Sequence, residues 1–364
     1  MLLKAITIYI IILVGQLSLS EANRKIIIEN TDFSKRIEKK VTRIAKEKNI
    51  PSLEVQISRN EDVTHFQYHH KKVEKQDVYG IGSTTKLLSS VLIFKLIEDE
   101  KLRLNDKITE HFKLEPTITG IEKITVKHLL NHTSGLSDYT KNPEWIKAVM
   151  NANAPDIFGD KLKLVNDSLN NYGSFSYSNT NYLFLQKIVE NLTGHTYEDY
   201  FNTFYSTNGF PGIKTGYDEN GLQAFFGQND QAVSNVSDWR EHYGFDGGAY
   251  SDTKALDRFL IKLFKDKSIL KPVTLSKMYD WINMESMSIP IGSGKISEYG
   301  NGIMKLTYEG QEYVGHFGST LKYQSMVFYN SANNISISVV TNCSGPYFNK
   351  VFFQELIPAI LDEL

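Results

Sequence analysis

Ser83 and Lys86 stand three residues apart in YGIGSTTKLL, residues 79–88, where a strand-like run gives way to an apolar helical one. A helical turn holds about 3.6 residues, so an amine at this spacing can reach the hydroxyl. An amine beside a serine is what a hydroxyl nucleophile needs to shed its proton. The pair also reads as a helix N-cap followed by an ordinary helix lysine, since serine is a favoured cap. The run that follows is apolar at Leu87, Leu88, Val91, Leu92, Phe94 and Leu96, the density of a buried helix. A lysine in the first turn of such a helix opposes the helix dipole, and burial favours its neutral form.

Two further polar groups are candidates to join this pair. FSYSNTNY sets Tyr177, Ser178 and Asn179 in a turn before a helix, where Ser178 or Asn179 equally suits an N-cap and Tyr177 a half-buried aromatic. VGHFGS places His316, Gly318 and Ser319 on a strand that ends in glycines. Glycine there marks a close approach by a ligand or another backbone, or a bulge. His128 and His132 lie at i and i+4 on a predicted helix, a spacing able to grip zinc, but without an H-E-x-x-H pattern they read as structural. GFDGGAYSD reads as a tight glycine turn beneath the site, since no lysine or helix start follows where a phosphate loop needs one. Nothing calls for a metal, nucleotide or other cofactor.

The chain that must position these residues has 364 of them, 41% hydrophobic and 23% charged, with a formal charge of -2. That is the composition of a folded protein with one large or two interlocked domains, and it offers no polyelectrolyte partner. The basic cluster at Lys35 to Lys48 interleaves with Phe33, Ile37, Val41, Ile44 and Ala45 at helical spacing. It predicts an amphipathic helix ended by Pro51, with no role in nucleic-acid binding. Residues 1–22 show Lys4, an apolar run from Ala5 to Val14, then small and polar residues, the three-part pattern of a secretory signal peptide. The run is short for a membrane span, and membrane association requires that this segment stay uncleaved as an anchor. The expected location is therefore periplasmic or secreted. The single cysteine, Cys343, permits no intrachain disulfide, so the fold must rest on its core.

SLEVQISRN and VTHFQYHHKK read as two strands joined by a polar turn, ahead of the Ser83 helix. From Leu102 to Gly244 the pattern is mostly helical with long polar connections. A helix opens behind Ser251, then EYGNGIMKLTY, QEYVGHF, YQSMVFYN and ISISVVTN follow as strand-like runs, and a closing helix spans Phe348 to Leu361, interrupted by Pro358. The expectation is an α+β fold: one antiparallel sheet built from both chain ends, flanked by helices, carrying a mostly helical inserted subdomain. Its domain covers 31–364, the α/β part being 31–100 with 245–364 and the helical part 101–244.

Taken together and in order, STTK, YSN and HFG resemble the S-x-x-K, Y-x-N and K-T-G motifs of the serine β-lactamase and penicillin-binding protein superfamily. Flanking stretches such as ITVKHLLNHTSGLSDY and DGGAYSDTKALDRFL resemble its class C β-lactamase-like branch, which includes D,D-carboxypeptidases, D-aminopeptidases and esterases. The resemblance implies a β-lactamase/transpeptidase-like fold and an acyl-enzyme on Ser83. Lys86 and Tyr177 would manage the proton, with Lys86 favouring the phenolate, and which of the two takes it stays open. Asn179 would accept from Lys86 and donate to a substrate amide. The N–H groups of Ser83 and Ser319 would form an oxyanion hole, worth about 3 kcal/mol per donor in related chemistry. His316 would supply a weaker, pH-dependent positive field where relatives often carry lysine.

Two departures bear on substrate: Phe317 stands where a hydroxyl usually helps hold a terminal carboxylate, and Met304 where carboxypeptidase relatives can place arginine. Lys305 is turned to the other face by strand alternation. The implied substrates are peptides, amides or esters, peptidoglycan-type D-amino-acid peptides foremost. Two alternatives stand beside this reading: an esterase of the same fold, and a non-catalytic module binding muropeptides or a protein.

Overall fold

The computed structural model describes residues 32–60, 62–113 and 118–364. The predicted signal segment lies outside them. Residues 32–47 form helix α1, and its stripe of Phe33, Ile37, Val41, Ile44 and Ala45 is buried while the basic face is left outside.

The main sheet takes strands from both ends of the chain. Near the N-terminus are β1 (Ser52–Arg59) and β2 (Asp62–His69). The remainder are β3 (Ile282–Asn283), β4 (Ile289–Ile291), β5 (Gly294–Tyr299), β6 (Met304–Tyr308), β7 (Gln311–Ser319), β8 (Gln324–Asn330) and β9 (Ile335–Thr341). Their order is β2-β1-β9-β8-β7-β6-β5-β3, with β4 also on β5, and every pairing is antiparallel. β1 therefore lies between β2 and the last strand, with Leu53 opposite Thr341 and Arg59 opposite Ile335.

One face of the sheet, carrying Leu53, Val55, Ile57, Met326, Phe328 and Ile337, packs against α1 and the C-terminal helix. The other packs against α2 (Thr85–Glu98) and the helical part. α2 is buried on nearly all sides, as the apolar density of its sequence predicts.

Several elements differ from the sequence reading. EYGNGIMKLTY is two strands, β5 and β6, parted by Gly300–Asn301–Gly302, because Gly302 takes a left-handed φ of 87° against Ser90. The central part also holds strands Phe225–Gly227 and Val233–Asn235, and the first of these pairs with Cys343–Ser344. The helix behind Ser251 is capped by Asp252, whose side chain accepts from Ala255 N. The closing helix begins at Pro346 and passes Pro358 without a break, the preceding turn being wound as a wider π-helix over Phe352–Leu356.

The β7–β8 pairing depends on Gly315, where a side chain's first carbon would fall 1.9 Å from the Val327 carbonyl oxygen. Gly315→Ala is expected to lower unfolding free energy by about 1–3 kcal/mol, whereas Gly159→Ala, which meets nothing within 4 Å, should change it little. Denaturant midpoints of the two variants check this.

Candidate active site

Ser83 occupies a 3₁₀ turn, Gly82–Thr84, that runs directly into α2. Neither element start has a side-chain cap, so the cap reading of Ser83 has no geometric support. The turn is latched to the sheet: Thr84 Oγ1 and Ser325 Oγ lie 2.7 Å apart, and Ser325 Oγ donates to the Ile81 carbonyl at 2.6 Å. The glycine-rich stretch braces it from the other side through Ile81 N to Ala249 O and Ala249 N to Thr85 Oγ1.

Lys86 is fully buried. Its Nζ reaches Ser83 Oγ at 3.0 Å, Asn179 Oδ1 at 2.6 Å and the Asp246 carbonyl at 2.5 Å. Three acceptors match the three N–H donors of an ammonium. Burial nonetheless disfavours the charge and pulls the amine down to about 8, against the opposing fields of Asp246 and Asp138. Once the amine is neutral it has a lone pair free to receive the Ser83 proton.

Asn179 precedes helix α4 (Thr180–Thr193, taking α3 as Val126–Leu130) without capping it. Its carbonyl serves Lys86. Its amide nitrogen, expected to meet substrate, instead faces the Asp138 carboxylate at 3.1 and 3.3 Å and Thr140 Oγ1 at 3.0 Å.

Tyr177 lies beside the pair, but the expected phenolate is not supported. Burial holds its phenol well above the ordinary value, and a hydrogen bond with Ser83 only partly offsets this. The Lys86 ammonium sits 5.0 Å above the ring centroid, a cation–π contact that favours the lysine charge. The neutral form of Lys86 is thus the more accessible proton acceptor.

His316 is brought to the site, yet it carries no positive field. Fully buried and close to Lys86, it is pushed down to about 3 and is neutral at physiological pH. Its Nδ1 lies 2.6 Å from the Phe317 carbonyl, which can only accept, so the proton is on Nδ1. Nε2 then accepts from Tyr299 Oη at 3.0 Å. Tyr299 in turn receives His132 Nε2 at 3.3 Å, because His132 Nδ1 is the acceptor for Ser178 N and Asn181 Nδ2. The result is a buried, uncharged His–Tyr–His chain, and the Tyr177 ring lies over His132 with centroids 4.2 Å apart.

Gly318 lets β7 touch the Ser83 turn. A side chain there would fall 1.9 Å from Ile81 O and 2.8 Å from Ser83 N, while one on Gly82 would meet Ser319 N at 3.1 Å. The Ser83 and Ser319 backbones therefore run side by side, as a two-donor oxyanion site requires. Ser319 Oγ itself contacts Ser344 Oγ at 3.2 Å. Phe317 points to the opposite face and packs edge-on against Phe353. Met304 is buried, and Lys305 is held by Glu298 at 2.8 Å.

The histidine pair does not share a helix face. α3 is only five residues long, His132 follows its end with φ 60°, and His128 bonds back to Thr125. Among the described residues no cluster of His, Cys, Asp and Glu could hold a metal ion. Residues missed in the sequence are Asp138, Thr140, Asp246 and Tyr299, all of them partners of singled-out residues. Asp138 and Asp246 sit in quoted stretches, HTSGLSDY and GFDGG, whose glycines are the signal that could have drawn attention to them.

Residues 37–354 match the family model described as Beta-lactamase. Protein flp of Staphylococcus aureus strain MW2 is 28% identical over 312 residues, covering 79% of this chain and 57% of that protein. The chain thus spans little more than half the length of that curated relative. D-amino acid amidase from Ochrobactrum anthropi SV3, solved with D-phenylalanine, superposes with TM-score 0.78 at 18% identity, over 91% of this chain and 98% of that one. Penicillin binding protein from Bacillus halodurans gives TM-score 0.70 at 18% identity, over 89% and 99%. At these identities the structural likeness shows the shared fold.

The acceptor role of Lys86 predicts a pH profile. A base with a pKa near 8 is protonated below it, so the acylation burst with p-nitrophenyl acetate should rise about tenfold per unit up to pH 8 and then level. Lys86→Met should abolish that rise and lower the burst rate by about 10²-fold or more; stopped-flow release of nitrophenol reads both.

Proposed function

This chain belongs to the beta-lactamase family, and from that premise we propose that it is a serine hydrolase in which Ser83 forms an acyl-enzyme with amides or esters that lack a terminal carboxylate. The 3.0 Å contact between Ser83 and a buried, pKa-lowered Lys86 carries the reading. A non-catalytic binder has no need of a base held beside its serine.

In this scheme Ser83 Oγ attacks the carbonyl while its proton passes to Lys86. The Ser83 and Ser319 N–H groups receive the oxyanion. The leaving group departs with a proton returned by Lys86 directly or through the neutral Tyr177 phenol. Water then attacks the ester, and the acid is released as Ser83 regains its proton.

The restriction on substrate comes from charge. A terminal carboxylate of a D-Ala-D-Ala peptide or penicillin needs a cation or hydroxyl beside the third motif. Here His316 is neutral, Phe317 offers a ring, Met304 is buried, Lys305 is bound to Glu298, and the one hydroxyl at hand, Ser319 Oγ, is shared with Ser344 Oγ at 3.2 Å. That favours acyl donors of the amidase or esterase kind over D,D-carboxypeptidase or β-lactamase substrates. D-amino-acid amides are the foremost candidates, a reading supported by the amidase among the similar structures. The N-terminal segment supports action outside the cytoplasm, on small molecules or peptidoglycan fragments, with no cofactor.

Labelling followed by intact mass tests this. A fluorophosphonate is expected to add to the wild type and not to Ser83→Ala, while a fluorescent penicillin adds to neither. Turnover of D-phenylalanine amide should exceed that of a D-Ala-D-Ala peptide by about tenfold or more, the factor that about 1.4 kcal/mol of missing charge recognition gives. A penicillin adduct on Ser83 would overturn the substrate assignment, and the absence of any adduct or turnover would overturn the catalytic one.

A further inference from the structure

The turn that follows HTSGLS braces the site from the helical side. Asp138 caps a 3₁₀ turn, Tyr139–Lys141, its side chain accepting from Thr140 N at 3.1 Å. The turn is tied to the start of α4, because Thr180 Oγ1 accepts from Tyr139 N at 3.1 Å and donates to the Ser137 carbonyl at 2.6 Å. Asp138 and Asn179 are thereby held face to face. Two of the three acceptors of Lys86 depend on this one turn: Asn179 through Asp138, and Asp246 through Tyr139, whose hydroxyl donates to the Asp246 carboxylate at 2.6 Å.

Every bond around Asn179 has a direction. A carboxylate only accepts, so the group facing Asp138 at 3.1 and 3.3 Å must be the Asn179 amide nitrogen. Thr140 Oγ1 donates to Asp138 Oδ1 at 2.8 Å, which leaves its lone pairs to accept from the same nitrogen at 3.0 Å. Both N–H bonds of Asn179 Nδ2 are then used, and its carbonyl is turned to Lys86 Nζ at 2.6 Å. A charged Lys86 enforces that orientation by itself, since an ammonium only donates. Once neutral, the amine donates or accepts, as the Thr140 hydroxyl does. Among the hydrogen-bond partners of the amide, Asp138 is then the one that still distinguishes its two ends.

The orientation decides where the base points. A neutral amine has two N–H bonds and one lone pair. The Asn179 and Asp246 carbonyls, which can only accept, take the two N–H bonds and leave the lone pair to Ser83 Oγ at 3.0 Å. A rotated Asn179 would present N–H groups that compete with Ser83 for that lone pair.

We propose that Asp138 is a positioning residue for the Ser83–Lys86 pair: it locks the Asn179 amide with its carbonyl on Lys86 and so aims the neutral amine at the serine hydroxyl. The assignment deepens the Ser83 reading and rests on it for the reaction that is served.

Asp138→Asn separates this role from capping. Asparagine caps as well as aspartate does, so the variant should keep the wild-type denaturant midpoint. With its oxygen on Thr140 N, however, its other end turns N–H groups toward Asn179 Nδ2. The p-nitrophenyl acetate burst should level at a rate about tenfold or more lower. Because the field of Asp138 helps to hold the Lys86 charge, its loss should also move the rise to lower pH by about half a pH unit or more. The second measurement needs no turnover and is made in Ser83→Ala protein. The Asn179 side-chain amide signal, assigned in NMR spectra by its loss in Asn179→Ser, should exchange with solvent about tenfold or more faster when Asp138→Asn is added. Unchanged exchange overturns the proposal, as does a variant with the wild-type plateau and an unshifted profile. A wild type that shows no burst, together with exchange that depends on Asp138, would leave the amide lock standing and remove the Ser83 reading instead.

Discussion

A lysine amine taken fully out of water is the constraint around which this molecule is arranged. An unpaired buried ammonium is costly, and Lys86 escapes that cost only by meeting three acceptors at once. Those acceptors come from the Ser83 turn, from the start of α4 and from the glycine stretch ahead of the Asp252-capped helix. Sheet, helical part and connecting loop must therefore all be in place before the amine is satisfied. Each acceptor is itself held: Ser83 by the latch to Ser325, Asn179 by Asp138 and Thr140, Asp246 by Tyr139 and Gly244. The same desolvation that makes the arrangement demanding lowers the amine to where it can exchange a proton near neutral pH.

Beside that charge the third motif is kept neutral. His132, Tyr299 and His316 satisfy one another in sequence without adding a proton, so this chain places no further cation next to Lys86. A lysine at 316 would add a second buried charge with only Tyr299 Oη and the Phe317 carbonyl, the present partners of His316, at hand.

The large features were legible in the amino-acid order because they rest on repeating apolar patterns. α1 follows a period of 3.6 and the β1–β2 hairpin and late strands a period near 2, while α2 was legible from its apolar density alone. Ser83, Lys86, Tyr177, Asn179, His316, Gly318 and Ser319 were also findable, since short spacings bring each group together locally. What pattern could not convey was protonation. The positive His316 and the anionic Tyr177 expected at these positions depend on burial and, for the histidine, on tautomer-setting partners: the carbonyl of the next residue, Phe317, and Tyr299 of β5, two strands away. Nor could it convey the fate of the polar face of β1. Glu54, Gln56 and Ser58 alternate with apolar residues as a solvent-facing row would, yet they are buried, with Thr253 and Asp257 of the overlying helix as partners. Short irregular segments such as Phe225–Gly227 left no periodicity to read.

The position of β1 between β2 and β9 bears on how the chain reaches this state. The Thr341 side chain bonds to the Ser52 carbonyl across 289 positions of sequence. During synthesis the N-terminal hairpin has no lateral neighbour on β1 until β9 has emerged, with Thr341 lying 289 positions beyond Ser52. Its unpaired edge is exposed for that interval, an invitation to pair with other chains. Closing so long a loop is slow compared with forming helices, so the sheet is completed late. A polypeptide wired in this way has a strong requirement for its last strand: removing residues from the C-terminal side leaves β1 without its partner and the hydrophobic face of the sheet without its cover.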